Sequence, residues 1–125
     1  MGMICEWSCP ACEAMWQLRE GHGMNHALLN TVAEEFPPEM REEILAAAAG
    51  EKWPVFHFNF RPARCGECHN LVAAPWIQFP KTGKSWTGSC PVCDAMVKCD
   101  EEDDEVICPR CGQEELEYEE IGHWD

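Results

Sequence analysis

The sequence predicts a small α+β fold made of two stapled units of short antiparallel strands, the first unit carrying an inserted helical hairpin. Three observations predict it. Eight of the ten cysteines in this 125-residue chain fall in four Cys-x-x-Cys pairs. An octapeptide occurs twice, as SCPACEAM over Ser8 to Met15 and SCPVCDAM over Ser89 to Met96. Helical periodicity occupies residues 25–50, and strand-like segments lie on both sides of it. An internal repeat constrains architecture before any single residue does. Each copy is later followed by a further pair, Cys65/Cys68 and Cys108/Cys111. The expected division is therefore residues 1–87 and residues 88–125, each unit opened by one cysteine knuckle and closed by another.

In chain order, residues 3–8 lead into the first knuckle as an extended strand, and Met15 to Arg19 leave it as a second one. Gly21 and Gly23 break that strand. Asn25 can cap a helix whose apolar face is Leu28, Leu29, Val32, Ala33 and Phe36. Pro37 and Pro38 end it, and Pro38 suits the first turn of a second helix. Glu39, Glu42 and Glu43 favour the start of that helix, Met40, Ile44, Leu45 and Ala48 give it an apolar stripe, and Gly50 can close it. Val55 to Arg61 alternates cleanly, with Phe56, Phe58 and Phe60 on one face. Leu71 to Phe79 reads as a further strand, which Pro75 would place at an edge or a bulge. Lys81 to Lys84 is a turn. Beyond it a compact unit is expected: a strand over residues 95–99, an acidic turn over residues 100–104, a return over residues 105–107, and a third strand over residues 116–118.

Two cysteines separated by two residues can aim both sulfurs at one point, and two such pairs supply the tetrahedral four-thiolate set that zinc prefers. The candidate ligands are Cys9, Cys12, Cys65, Cys68, Cys90, Cys93, Cys108 and Cys111, enough for two zinc ions. Sequential pairing joins Cys9, Cys12, Cys65 and Cys68, and separately Cys90, Cys93, Cys108 and Cys111. The repeat favours it, because like sequences should occupy like places. The competing arrangement joins Cys65, Cys68, Cys90 and Cys93 across a 21-residue gap and leaves the outer knuckles to meet. Knuckle, hairpin, knuckle and third strand over residues 90–119 resembles the zinc-ribbon superfamily. The resemblance is looser for residues 5–79, where the helical segment must be an insertion. It implies structural zinc, with a rubredoxin-like iron site as the alternative metal.

Composition narrows the function. The formal net charge is -14, and residues 90–125 hold thirteen acids against Lys98 and Arg110. Such a polyanion repels phosphate backbones. Residues 52–86 alone reverse the balance, with Lys52, Arg61, Arg64, Lys81 and Lys84 among Trp53, Trp76 and Trp86. No apolar run is long enough for a membrane span. The absence of a leader-like start and the paired cysteines lead to the expectation of a cytoplasmic protein. Cys5 and Cys99 stand outside the pairs and read as buried apolar side chains. His22 and His26 have the i,i+4 spacing of a metal-binding helix pair, but Gly21 and Gly23 argue against a helix through His22; His69 beside Cys68 is not needed where four cysteines suffice, and His57 lacks a partner at ligand spacing. A thiol redox role for Cys9-Pro10-Ala11-Cys12 would need a helix start in a βαβ setting, which the flanking strands do not provide. A site closed by four thiolates has no open position for chemistry. The sequence therefore points to a non-enzymatic adaptor or accessory subunit that contacts a protein partner through its helical segment and tryptophans. The alternatives are nucleic-acid binding through residues 52–86 and iron-based electron transfer.

Overall fold

The computed structural model describes residues 2–99 and 106–124, with the side chains of residues 24, 25, 98 and 99 also outside the description. The expected acidic turn and the packing of Cys99 fall outside it. The elements are β1 (Gly2–Ser8), β2 (Met15–Glu20), a 3₁₀ turn (Met24–Ala27), α1 (Leu29–Ala33), α2 (Pro38–Ala47), β3 (His57–Arg64), β4 (Leu71–Phe79), β5 (Lys84–Thr87), β6 (Lys98–Cys99) and β7 (Glu117–Trp124). They form two antiparallel sheets, ordered β2-β1-β7 and β5-β4-β3-β6.

The first sheet joins the two ends of the described chain. Ser8 lies opposite Glu117 and Gly2 opposite Trp124, with a register shift at Ile4/Cys5. The strand expected over residues 116–118 thus runs longer than expected: Leu116 N donates to the Val106 carbonyl at 2.8 Å, and from Glu117 onward the strand pairs with β1. Its core gathers Cys5, Trp7, Leu18, Val106 and Leu116. Trp7 stacks on Tyr118 at 4.8 Å between ring centroids.

The second sheet lies inside this frame in sequence. β3 and β4 pair from Arg64 opposite Leu71 to His57 opposite Gln78. Pro75 sits in β4, which is an interior strand here, against the expectation of an edge or bulge. The Pro75 carbonyl accepts from Gly88 N at 2.8 Å, just past the end of β5. Along a strand a residue's N–H and C=O point to the same side, so the missing donor of Pro75 faces a place where no ladder continues. A Cβ on Gly88 would run into the Pro75 ring, so glycine permits that close approach.

The helical segment covers one face of this sheet. Val32, Ala33, Phe36, Ile44 and Ala48 pack with Phe58, Ile77 and Phe79. The alternation of the phenylalanines correctly marks the covered face. The helices are shorter than the periodicity suggests. Leu28 has extended backbone (φ -102, ψ 127) and precedes α1, so it is 67% exposed and takes no part in the apolar face. Asn25 is not the helix cap. Arg41 of α2 donates to the carbonyls of Ala33, Glu34 and Phe36 and so satisfies the open end of α1.

Candidate metal centres

Each Cys-x-x-Cys pair is the tip of a β-hairpin. Ser8 pairs with Met15 around the first and Arg64 with Leu71 around the second. Bridges of Ser89 with Met96 and of Ile107 with Glu115 flank the third and fourth. The four tips share one set of backbone bonds. The first cysteine's carbonyl accepts from the residue after the second cysteine: Glu13 to Cys9 at 3.1 Å, His69 to Cys65 at 3.0 Å, Asp94 to Cys90 at 2.8 Å and Gly112 to Cys108 at 2.9 Å. Those donors all have left-handed backbone, with φ of 62°, 57°, 63° and 68°. The first cysteine of each tip is buried, while the second is half-buried or exposed.

The tips meet crosswise. Cys9, Cys12, Cys108 and Cys111 form one cluster and Cys65, Cys68, Cys90 and Cys93 the other, with all sulfurs of a cluster within 4.8 Å of one another. The sequential pairing favoured by the repeat is therefore incorrect, and the competing arrangement is the one present. The expected units at residues 1–87 and 88–125 would each hold two halves of different sites. The organisation is nested. An inner ribbon runs from β3 to β6, and an outer ribbon is assembled from β1 and β2 at one end of the chain and the last knuckle with β7 at the other. The two ribbons follow one plan. The strand leading into the first knuckle pairs with the strand leaving the second: β1 with β7, and β3 with β6, where Arg64 lies opposite Lys98. The repeated octapeptide occupies the opening knuckle of the outer ribbon and the closing knuckle of the inner one. Its two copies therefore do not occupy equivalent places in the two ribbons.

The Sγ–Sγ distances are 3.7 Å for Cys9–Cys111, 3.7 Å for Cys12–Cys108, 3.4 Å for Cys65–Cys93 and 3.8 Å for Cys68–Cys90. They exceed a disulfide bond, which is about 2.05 Å. A tetrahedron with metal–sulfur bonds of about 2.3 Å has edges of about 3.8 Å, so the sulfurs stand close to a metal-ligating arrangement.

Backbone donors hold one thiol low in each cluster. N–H donation from Cys68 and Glu67 lowers Cys65 to about 6 against the opposing effect of burial. Donation from Gln113 and Glu114 lowers Cys111 to about 7. Elsewhere neighbouring sulfurs and burial prevail. Cys93 receives an N–H from Ala95 yet is pushed up to about 12 by the adjacent Cys65 sulfur and burial. Cys9, despite N–H donation from Cys12, is pushed up to about 11. Four crowded thiols share their negative charge unevenly until a cation compensates it.

Among the described residues, no third group of metal-binding side chains gathers. Cys5 is 1% exposed, and burial, with Glu20 and Glu120 nearby, pushes its thiol up to about 12; it is buried as expected, but it also hydrogen-bonds Glu20 and so is not a purely apolar side chain. His69 contributes its backbone to a knuckle turn. His22 bonds Asn59 at 3.1 Å. His26 is buried against Phe58, Phe60 and Trp124, a packing role that its isolated place in the sequence gave no signal for. Two tryptophans of segment 52–86, Trp86 and Trp76, lie on opposite faces of the sheet. Trp86 packs edge-to-face on Phe79 and donates to Glu43 on the helix-covered face. Arg61 lies over Trp76, 4.8 Å from the ring centroid, on the other face. Trp53 is 81% exposed. No helix among the described residues is long and apolar enough to cross a membrane. No family model, curated protein or solved structure matches the chain.

Proposed function

We propose that this chain is a non-enzymatic protein in which two zinc ions hold a nested pair of ribbons together, and that it acts as an adaptor or accessory subunit for a protein partner. The observation that carries this reading is the pair of four-sulfur clusters, with sulfur–sulfur distances from 3.4 to 3.8 Å. Four thiolates satisfy a tetrahedral ion and leave no position for water or substrate, so the metal would hold structure and not activate a nucleophile. Each of the eight ligands sits on a hairpin tip whose backbone is already turned for it. The partner surface belongs to what the metal positions. The exposed apolar side chains Leu28, Trp53 and Val55 flank the helical segment, and exposed tryptophan is a frequent anchor of protein contacts.

Native mass spectrometry of protein purified from its source, with elemental analysis, tests the metal. Two zinc ions per chain are expected, and Cys5→Ser should leave that count unchanged. One ion, or three, would sink the reading. Iron in place of zinc, with red colour and visible absorption, would turn it toward electron transfer. Capture of a defined protein by wild type, weakened at least tenfold by Trp53→Ala with the metal count intact, would support the adaptor role.

A further inference from the structure

Asn70 stands between the two clusters. Its backbone carbonyl accepts from Cys65 N at 3.1 Å and so closes the second knuckle. Its side-chain nitrogen donates to Cys68 Sγ, an inner-cluster sulfur, at 3.4 Å. Its side-chain oxygen accepts from Trp16 Nε1 at 3.3 Å and from an Arg110 guanidinium nitrogen at 3.5 Å. Both donors belong to the outer ribbon. Trp16 is on β2, and Arg110 lies between the outer ligands Cys108 and Cys111, with its guanidinium 5.4 Å from the Trp16 ring centroid. A carboxamide has one accepting end and one donating end. With its oxygen held by Trp16 and Arg110, the nitrogen is left to face the inner sulfur. The outer knuckle thus orients a donor to an inner ligand.

We propose that the two metal sites fill in order, inner before outer, and that each strengthens the other through the Asn70–Arg110 contact. This inference rests on the structural-metal reading. The order follows from the nesting. Twenty-one residues separate Cys68 from Cys90, whereas 95 separate Cys12 from Cys108. The probability of loop closure falls as the three-halves power of length, which favours the inner site by about tenfold. The mutual strengthening follows from the bridge. Metal at the outer site fixes the knuckle that carries Arg110, Arg110 fixes the Asn70 oxygen, and the Asn70 nitrogen then stabilises anionic sulfur on Cys68. Groups that orient metal ligands in this way contribute about 10–100-fold in affinity, and a half-exposed amide belongs at the lower end. Linkage makes the effect reciprocal, so inner metal strengthens the outer site by the same factor.

The experiment uses the full chain, freed of metal under reducing conditions and titrated with zinc against a competing chelator, with native mass spectrometry counting bound ions. Cys108→Ser/Cys111→Ser reports the inner site alone, and Cys90→Ser/Cys93→Ser the outer site alone. The inner site is expected to bind about tenfold more tightly than the outer. In the singly loaded wild type, alkylation is expected to protect Cys65, Cys68, Cys90 and Cys93 before the other four. Arg110→Ala should weaken binding of the second zinc ion about tenfold with all eight cysteines intact and leave inner binding unchanged in Cys108→Ser/Cys111→Ser. Asn70→Ala, which also removes the direct donor to Cys68 Sγ, should weaken inner binding even in Cys108→Ser/Cys111→Ser, and Arg110→Ala added to it should cost the second ion no more. Equal affinities of the two isolated sites would overturn the order. An Arg110→Ala effect that ignores the outer cysteines, or no effect at all, would overturn the coupling. Wild type that binds no zinc would overturn the metal reading itself, an outcome distinct from two ions bound independently.

Discussion

Glu20 ends β2 with its carboxylate accepting from Trp7 Nε1 at 2.7 Å, and burial raises its pKa against the lowering effect of the Trp7 and Cys5 hydrogen bonds. A carboxyl whose native pKa lies above its unfolded value binds more protons in the native state, so stability falls as pH rises between the two values. Glu20→Gln keeps an acceptor for Trp7 and removes the charge. Its advantage over wild type should be absent below the unfolded carboxyl value of about 4.3, grow as pH rises toward the native value, and stay level above it. Paired denaturation curves at fixed pH values check this, and an advantage that shrinks with rising pH would contradict it. The left-handed residues after each knuckle allow a second comparison. Glu13, His69 and Asp94 have side chains where the fourth knuckle uses Gly112. A left-handed conformation costs a side-chain-bearing residue about 1–2 kcal/mol, offset in part by the greater freedom of glycine when unfolded. In excess zinc, Asp94→Gly should gain roughly 0.5 kcal/mol and Gly112→Ala should lose roughly 1 kcal/mol. Denaturant midpoints showing the two changes with the same sign would refute the assignment of strain.

At the scale of elements, the nesting changes which piece of chain is self-sufficient. Sequence order suggests that residues 88–125 fold alone with zinc. In the structure that fragment holds one knuckle of each site, and its strand β7 has lost β1. Residues 22–99 instead contain the whole inner cluster with α1 and α2 packed on β3 and β4. That fragment should bind one zinc ion and keep helical circular dichroism, while residues 88–125 should remain unordered with zinc. A folded 88–125 fragment would mean that its two knuckles pair with each other after all. The contrast also shows what the sequence makes legible. Cys-x-x-Cys spacing is a local demand, met by the same turn at Cys9 and at Cys90, so the eight clustered cysteines could be read directly. The phenylalanine alternation at Phe58 and Phe60 marked its face for the same reason. Pairing is not local. It depends on β1 meeting β7 and β3 meeting β6, and β6 is only two residues long. The near-identity of two octapeptides pointed the wrong way because the turn they share is also made by the unlike sequences around Cys65 and Cys108, so likeness of sequence does not say which knuckle a knuckle faces. Leu28 failed as a core residue because a helical stripe says nothing about where the helix begins.

For the whole molecule, Gly2 opposite Trp124 means that a strand made early is completed by one made about a hundred residues later. Synthesis runs in one direction at about 5–20 residues per second, so Cys9 and Cys12 wait roughly 5–20 s for Cys108 to follow. During that interval Cys65 and Cys68 emerge first. A metal ion arriving early meets four thiolates in the wrong combination, the same combination that sequence order suggests. Zinc bound at that stage would trap the chain in the wrong pairing, and zinc supplied after Cys108 and Cys111 have left the ribosome would avoid it. Cell-free translation with zinc present throughout should yield less two-zinc protein than translation with zinc added after release. A permuted chain that places residues 106–125 ahead of residue 2 through a short glycine linker brings the outer ligands out together. In that chain the timing of zinc should cease to matter.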